Sequence, residues 1–148
     1  MQPKHSSRSL RIFFLRLGFV LIVFFAILAI RIALNWDENA QQAMLRNVDN
    51  GIALGNRAAE AIGGYYLKKG RYPSSLEDLP VKIEHTSMAK IALSAQGAEA
   101  IVTLVNTRFG IDGRRMYFKP EVGNGKVERV ECRTDDDEFR KRIKGRCN

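Results

Sequence analysis

Few residues in this 148-residue sequence have the type and spacing to do chemistry. Cys132 and Cys147 stand fifteen positions apart, and His5 and His85 lie far from them and from each other. Such a set has no metal-ligand spacing, because a structural zinc site gathers four Cys or His ligands from closely spaced pairs. There is also no Gly-rich phosphate loop, nucleophile elbow or H-E-x-x-H helix. The chain is therefore read as non-enzymatic, without a cofactor or a metal. His5 falls in the basic leader and His85 in a loop-like stretch with no obvious partner, so a solvated histidine is expected. The run Asp135-Asp136-Asp137-Glu138 has the oxygens that calcium takes, but it lacks the spaced pattern of a calcium loop. Arg140-Lys141-Arg142 follows it, so the two runs read as solvated, self-neutralising charge. The cluster Arg133, Arg140, Lys141, Arg142, Lys144 and Arg146 offers a surface for an anionic ligand, DNA phosphates included. Four acids are interspersed with these cations, and Phe139 is the one aromatic available for stacking. An exposed, charged loop is the stronger reading.

Hydrophobic residues make up 45% of the chain and charged ones 27%, which excludes wholesale disorder and a polytopic membrane protein. The net charge of +8 is unevenly spread. Residues 1–31 carry Lys4, Arg8, Arg11, Arg16 and Arg31 and no acid, while the remainder is close to balance. That points to a membrane surface before nucleic acid. Residues 12–34 read IFFLRLGFVLIVFFAILAIRIAL, broken only by Arg16 and Arg31 near the ends, where long side chains reach the headgroups. At ~1.5 Å per residue this stretch covers roughly 34 Å, enough to cross a bilayer. A cleaved secretory signal shares the basic-then-apolar start. No A-x-A site follows, however, and Arg31 and Trp36 at the far edge suit a retained anchor. The preceding basic residues orient the N-terminus inward and residues 35–148 outward. An exported domain occupies an oxidising space, so Cys132 and Cys147 are expected to form a disulfide. Closing that loop is worth about 3 kcal/mol in the chain-entropy view.

Positioning of these residues falls to a helix followed by strands. From Ala40 to Lys69, Met44, Val48, Ile52, Ala59, Ile62 and Tyr66 recur at steps of three, four or seven, a helical stripe. No proline separates it from the apolar run, so one continuous helix is expected. Gly51, Gly55, Gly63 and Gly64 within it mark either flexible points or close packing. Gly70 ends it, and Arg71-Tyr72-Pro73-Ser74-Ser75 forms a loop. Met88–Ala95 and Glu99–Thr107 read as a hairpin, with Ile101, Thr103 and Val105 on one face and Val102 and Leu104 on the other. Arg115–Lys119 and Lys126–Cys132, joined through Gly123-Asn124-Gly125, supply two further strands. One long helix before four antiparallel strands is an α+β order.

The chain resembles the type IV pilins and the related pseudopilins of secretion systems. Gly18-Phe19-Val20-Leu21-Ile22 is similar to the family's GFTLI processing site, at the head of an apolar helix behind a basic leader (residues 1–18). AAEAIGGYYLKKGRYPSSLEDL (58–79) resembles the helix end and following loop of many pilins. GRRMYFKPEVGNGKVERVEC (113–132), closing with KGRCN (144–148), resembles the last strands and C-terminal disulfide loop of Gram-negative pilins. The resemblance implies cleavage between Gly18 and Phe19, and an exported pilin-like domain in which the long N-terminal helix packs on a C-terminal antiparallel sheet of about four strands. The chain departs from the family at Val23, where a glutamate is expected if Phe19 is the first mature residue. In the family that carboxylate pairs with the N-terminal amine of a neighbouring subunit.

Taken together, these readings predict a membrane-anchored, pilin-like subunit that primes or caps a type IV pilus-type filament. Its partners would be other pilins, assembly components and membrane lipid, with DNA a weaker possibility and no small-molecule substrate. The alternatives are an uncleaved inner-membrane protein that binds the assembly machinery, and a tip subunit that binds DNA or a surface.

Overall fold

The computed structural model describes residues 6–107, 109–143 and 145–147. His5 and Lys144 lie outside the described residues. Helix α1 runs Ser6–Lys69. The chain divides into two compact units between Gln41 and Gln42. In the first unit the apolar side chains from Leu17 to Ile32 are exposed, among them Phe19, Val23, Phe24 and Phe25, as is Trp36. Among the described residues, α1 is the one helix long and apolar enough to cross a membrane.

In the second unit, Gln42–Asn148, the remainder of α1 lies on one face of a four-stranded sheet, giving the expected α+β fold. The helical stripe supplies the contact: Met44, Val48, Ala59 and Ile62 are buried, and Ile52 packs at the margin. Tyr66 leaves the stripe to stack on Tyr72, with ring centroids 4.6 Å apart. Gly51, Gly55 and Gly63 mark close packing, not flexible points. A methyl group at Gly51 would lie 2.9 Å from Met116 Cε, and one at Gly63 would lie 2.5 Å from Val127 Cγ2. Gly64 faces open space. Gly70 terminates α1 with φ +69°, its N–H donating to the Tyr66 carbonyl at 2.8 Å, a left-handed stop that costs least without a Cβ.

The sheet is an antiparallel meander of β1 (Ala89–Leu93), β2 (Ala100–Leu104), β3 (Arg115–Gly123) and β4 (Lys126–Arg133), in spatial order β1-β2-β3-β4. Strand alternation sends Ala89 and Ile91, then Ala100, Val102 and Leu104, then Met116, Phe118 and Pro120 toward the core. The opposite row faces out, with Ile101 and Thr103 half-buried and Lys90, Arg115 and Lys119 exposed, as an antiparallel sheet open on one side allows. The first hairpin is shorter than the sequence predicts, because its ends peel into turns around Ser94–Gly97 and Asn106. By contrast, β3 extends past the predicted end at Lys119. Pro120 is tolerated because pairing with β2 stops at Phe118, leaving Pro120 paired with β4 alone, opposite Val130. A register shift at Glu121/Val122 precedes the expected turn, where Asn124 and Gly125 both take positive φ, as a tight hairpin turn demands.

The chain after β4 contains a second helix, α2 (Asp137–Arg142). The charges of residues 135–142 stay largely exposed and pair with each other in part, as expected, and the helix that carries them was not anticipated. Asp136 caps the helix by accepting from the Phe139 N–H at 2.8 Å. Acids fill its first turn and bases its last, matching the helix dipole. Phe139 and Ile143 are buried as part of the hydrophobic core.

Candidate functional site

The described residues singled out for function fall in two places, the apolar part of α1 and the end of β4 with the C-terminal tail that follows it. Gly18 lies on α1, and a methyl group added there would meet nothing within 4 Å in this chain. Phe19 is 67% exposed and Val23 40% exposed. Packing within the chain therefore gives no reason for a glycine at position 18.

The tail is built on the bridge between Cys132 and Cys147, whose Cα atoms are 5.0 Å apart. Cys132 is placed by β4, and Cys147 is carried back to it by α2 and the turn beyond. Phe139 is 1% exposed and Ile143 0%. Each contributes roughly 1.5–3 kcal/mol by burial, comparable to the ~3 kcal/mol from closing the loop. Packing and the covalent link thus share the task of holding the tail.

The tail's arginines are engaged within the fold. Arg133 bonds Asp135 at 2.9 Å and Glu99 at 3.3 Å, and its guanidinium lies 4.4 Å from the Tyr117 ring centroid. Arg140 pairs with Asp137 at 3.0 Å and donates to the Thr134 carbonyl at 2.9 Å. Arg142 donates to the Phe109 carbonyl at 3.0 Å and the Gly110 carbonyl at 3.4 Å, tying α2 to the β2–β3 connection. Arg146 pairs with Asp49 of α1 at 2.8 Å. Lys141 is exposed. The acids of the 135–138 run are drawn in likewise: Asp136 pairs with Arg114 while capping α2, and Asp135 holds Arg133. Among the described residues, no group of three or more His, Cys, Asp or Glu side chains is arranged to hold a metal ion.

His85 is exposed, as expected of a solvated histidine, but it has a hydrogen-bond partner, which corrects the expectation that it has none. Its Nδ1 accepts from the Ile91 N–H at 3.0 Å, and the Thr86 N–H donates to the Ala89 carbonyl at 2.9 Å. Both groups belong to the outer edge of β1, so the segment before that strand shields part of an edge that would otherwise be open. Across the sheet, Glu121 and Arg129 form a two-point ion pair at 2.5 and 2.8 Å beside the register shift. The hydrogen bond from Arg129 holds the Glu121 carboxyl below its ordinary range, and the same bond raises Arg129. Both side chains are exposed, so the pair adds little to stability. No protein-family model matches the chain, and no curated protein matches it.

Sequence reasoning missed Asp136 as a cap and Asp49, Glu99 and Arg114 as partners of the tail. The cap had a local signal, an aspartate followed by acids in the next turn and then by the basic run Arg140-Lys141-Arg142. The partners had none. Asp49 and Arg146 are 97 residues apart, and only the fold brings them together.

Proposed function

We propose that this chain is a membrane-anchored, pilin-like structural subunit, a minor pilin or pseudopilin that primes or caps a type IV pilus-type filament. The observation that carries the reading is the arrangement of the second unit. The latter part of α1 packs through small residues onto a four-stranded antiparallel meander, and the bridge closes the tail behind the last strand. The helix that supplies this contact also contains, nearer its start, an exposed apolar stretch long enough to enter a bilayer. The order of motifs, GFVLI, the Tyr-rich helix end and the C-terminal cysteines, supports the same reading.

On this reading the protein works by assembly and not by a reaction. The apolar part of α1 is held in the membrane until the subunit is drawn into a filament, where it packs against other pilins. The second unit stands on the outer side of the inner membrane. Val23 fits a subunit at the tip, which has no neighbour ahead to supply an amine for a carboxylate at that position. Val23 also favours a second reading, an uncleaved inner-membrane protein that contacts pilins or assembly components through its helix.

Intact-mass measurement of the protein extracted from membranes separates the two. Loss of residues 1–18 supports the filament subunit, and the full-length mass supports the uncleaved protein. A reporter joined after Asn148 should be active outside the cytoplasm. A cytoplasmic signal would overturn both versions.

A further inference from the structure

We propose that the Cys132–Cys147 bridge is a thiol-exchange site, attacked at Cys132 Sγ by a dithiol, and that its opening releases the tail from α1. The inference does not depend on the filament reading. Three observations carry it. First, β4 is an outer strand of the sheet, so no further strand covers the side of Cys132 away from β3. Second, a cleft between β4 and the tail, lined by Arg129, Glu131 and Gly145, opens on both cysteines. Third, the two sulfurs sit in residues of unequal exposure: Cys147 is 2% exposed and part of the core, while Cys132 is half-buried.

An attacking thiolate must reach a sulfur along the line of the bond it breaks, and access decides which sulfur is taken. Of the two residues on the cleft, Cys132 is the less buried, so its sulfur is the one assigned to attack. The thiolate forms a new S–S bond to Cys132 as the Cys132–Cys147 bond breaks. Cys147 leaves with the electron pair and takes up a proton. The second thiol of the reagent then displaces Cys132, so the dithiol ends as a disulfide and the bridge as two thiols.

The tail's remaining ties explain why it is the part released. Arg146 to Asp49 and Arg142 to the carbonyls of Phe109 and Gly110 are partly solvated polar contacts. Phe139 and Ile143 are its apolar anchors. The strands of the sheet keep their own pairing without it. Opening the bridge therefore lowers the stability of the tail more than that of the sheet, and the segment Met44–Asp49 of α1 becomes uncovered.

The test uses the full chain in detergent micelles. Brief treatment with reduced glutathione, a monothiol that stops at the mixed disulfide, is quenched with N-ethylmaleimide and mapped by peptide mass. Glutathione should be found on Cys132 and maleimide on Cys147. Glutathione mainly on Cys147, or a bridge that stays closed until circular dichroism reports unfolding, would overturn the assignment. After complete reduction with dithiothreitol, trypsin should cut after Arg140, Lys141 and Arg142 at least tenfold faster than in the oxidised chain. Far-UV circular dichroism should be retained, and the double variant Cys132→Ser/Cys147→Ser should behave in the same way. An unchanged cleavage rate in the reduced chain, or loss of the sheet signal together with cleavage, would show that the bridge does not gate the tail alone.

Discussion

Gly55 of α1 lies so close to the ring of Phe118 on β3 that a methyl group at position 55 would overlap the ring. Phe118 is fully buried at the centre of the sheet's inner face, with Val102 and Met116 beside it. The helix therefore approaches the sheet as nearly as backbone allows. Gly51, Ala59 and Gly63, each four residues from the next small position, keep the same face low along its length.

Two substitutions of the same chemistry should consequently have opposite effects. Gly55→Ala gains about 1 kcal/mol of helix propensity but forces Phe118 from its place, an overpacking cost of about 1–3 kcal/mol. The ring is fully buried, so net destabilisation is expected. Gly64→Ala meets nothing within 4 Å and should stabilise by roughly 0.5–1 kcal/mol. Denaturant unfolding of both variants beside the parent is the check. Equal effects would mean that α1 does not seat on the sheet at Gly55.

Cys132→Ser and Cys147→Ser should each lower stability by about 2–5 kcal/mol. The buried position of Cys147 places its variant toward the upper end, because a hydroxyl is then left in the core without a partner. Thermal or urea unfolding with and without a reductant gives the measurement. The parent under reducing conditions should fall to the level of the variants. Labelling of untreated native protein that finds both thiols free would remove the basis of the prediction.

Acid should loosen the loop that follows α1. The Asp78 carboxyl accepts from the Ser74 hydroxyl at 2.8 Å and from the Ser74 and Ser75 N–H groups at 2.9 and 3.0 Å. The Ser74 hydroxyl bond foremost, with the two backbone bonds, lowers its pKa below the ordinary value. A carboxyl whose folded pKa is lowered stabilises the fold above its unfolded pKa, about 3.9. That contribution is lost as pH falls through the lower, folded value. The stability difference between the parent and Asp78→Ala should thus be constant from neutral pH down to about 5 and shrink below about 4. A difference that stays the same at pH 2.5 would show that the charged form of Asp78 contributes nothing.

If the chain occupies a filament tip, Val23→Glu should give no gain of protein in sheared filaments. The new carboxyl would sit in the apolar stretch with no amine ahead of it to pair with, an expensive placement. Enrichment of the variant along the filament would instead mark an ordinary subunit that has lost its pairing group. The comparison is made once Gly18 is known to be processed, since only then does Phe19 carry a free amine.

The periodic parts of this fold are legible in the sequence by itself. Met44, Val48, Ala59 and Ile62 announce the buried stripe of α1, and alternation around Val102 and Leu104 announces a strand, because a regular backbone repeats its environment every 3.6 or 2 residues. Gly70 and Asn124-Gly125 mark their turns, because left-handed backbone selects residue types locally. The apolar run, the charge imbalance around it and the two cysteines are legible in the same way. Tertiary structure decided the rest. It chose between flexibility and contact for Gly55, since that depends on where Phe118 sits. It turned the charged run 135–142 into a capped helix with Phe139 inside, carried Arg146 to Asp49, and set His85 against the edge of β1. For Gly55 with Phe118 and Arg146 with Asp49 the physical reason is the same: the partners lie far apart in the chain on different elements, and contacts between elements leave no period in the sequence.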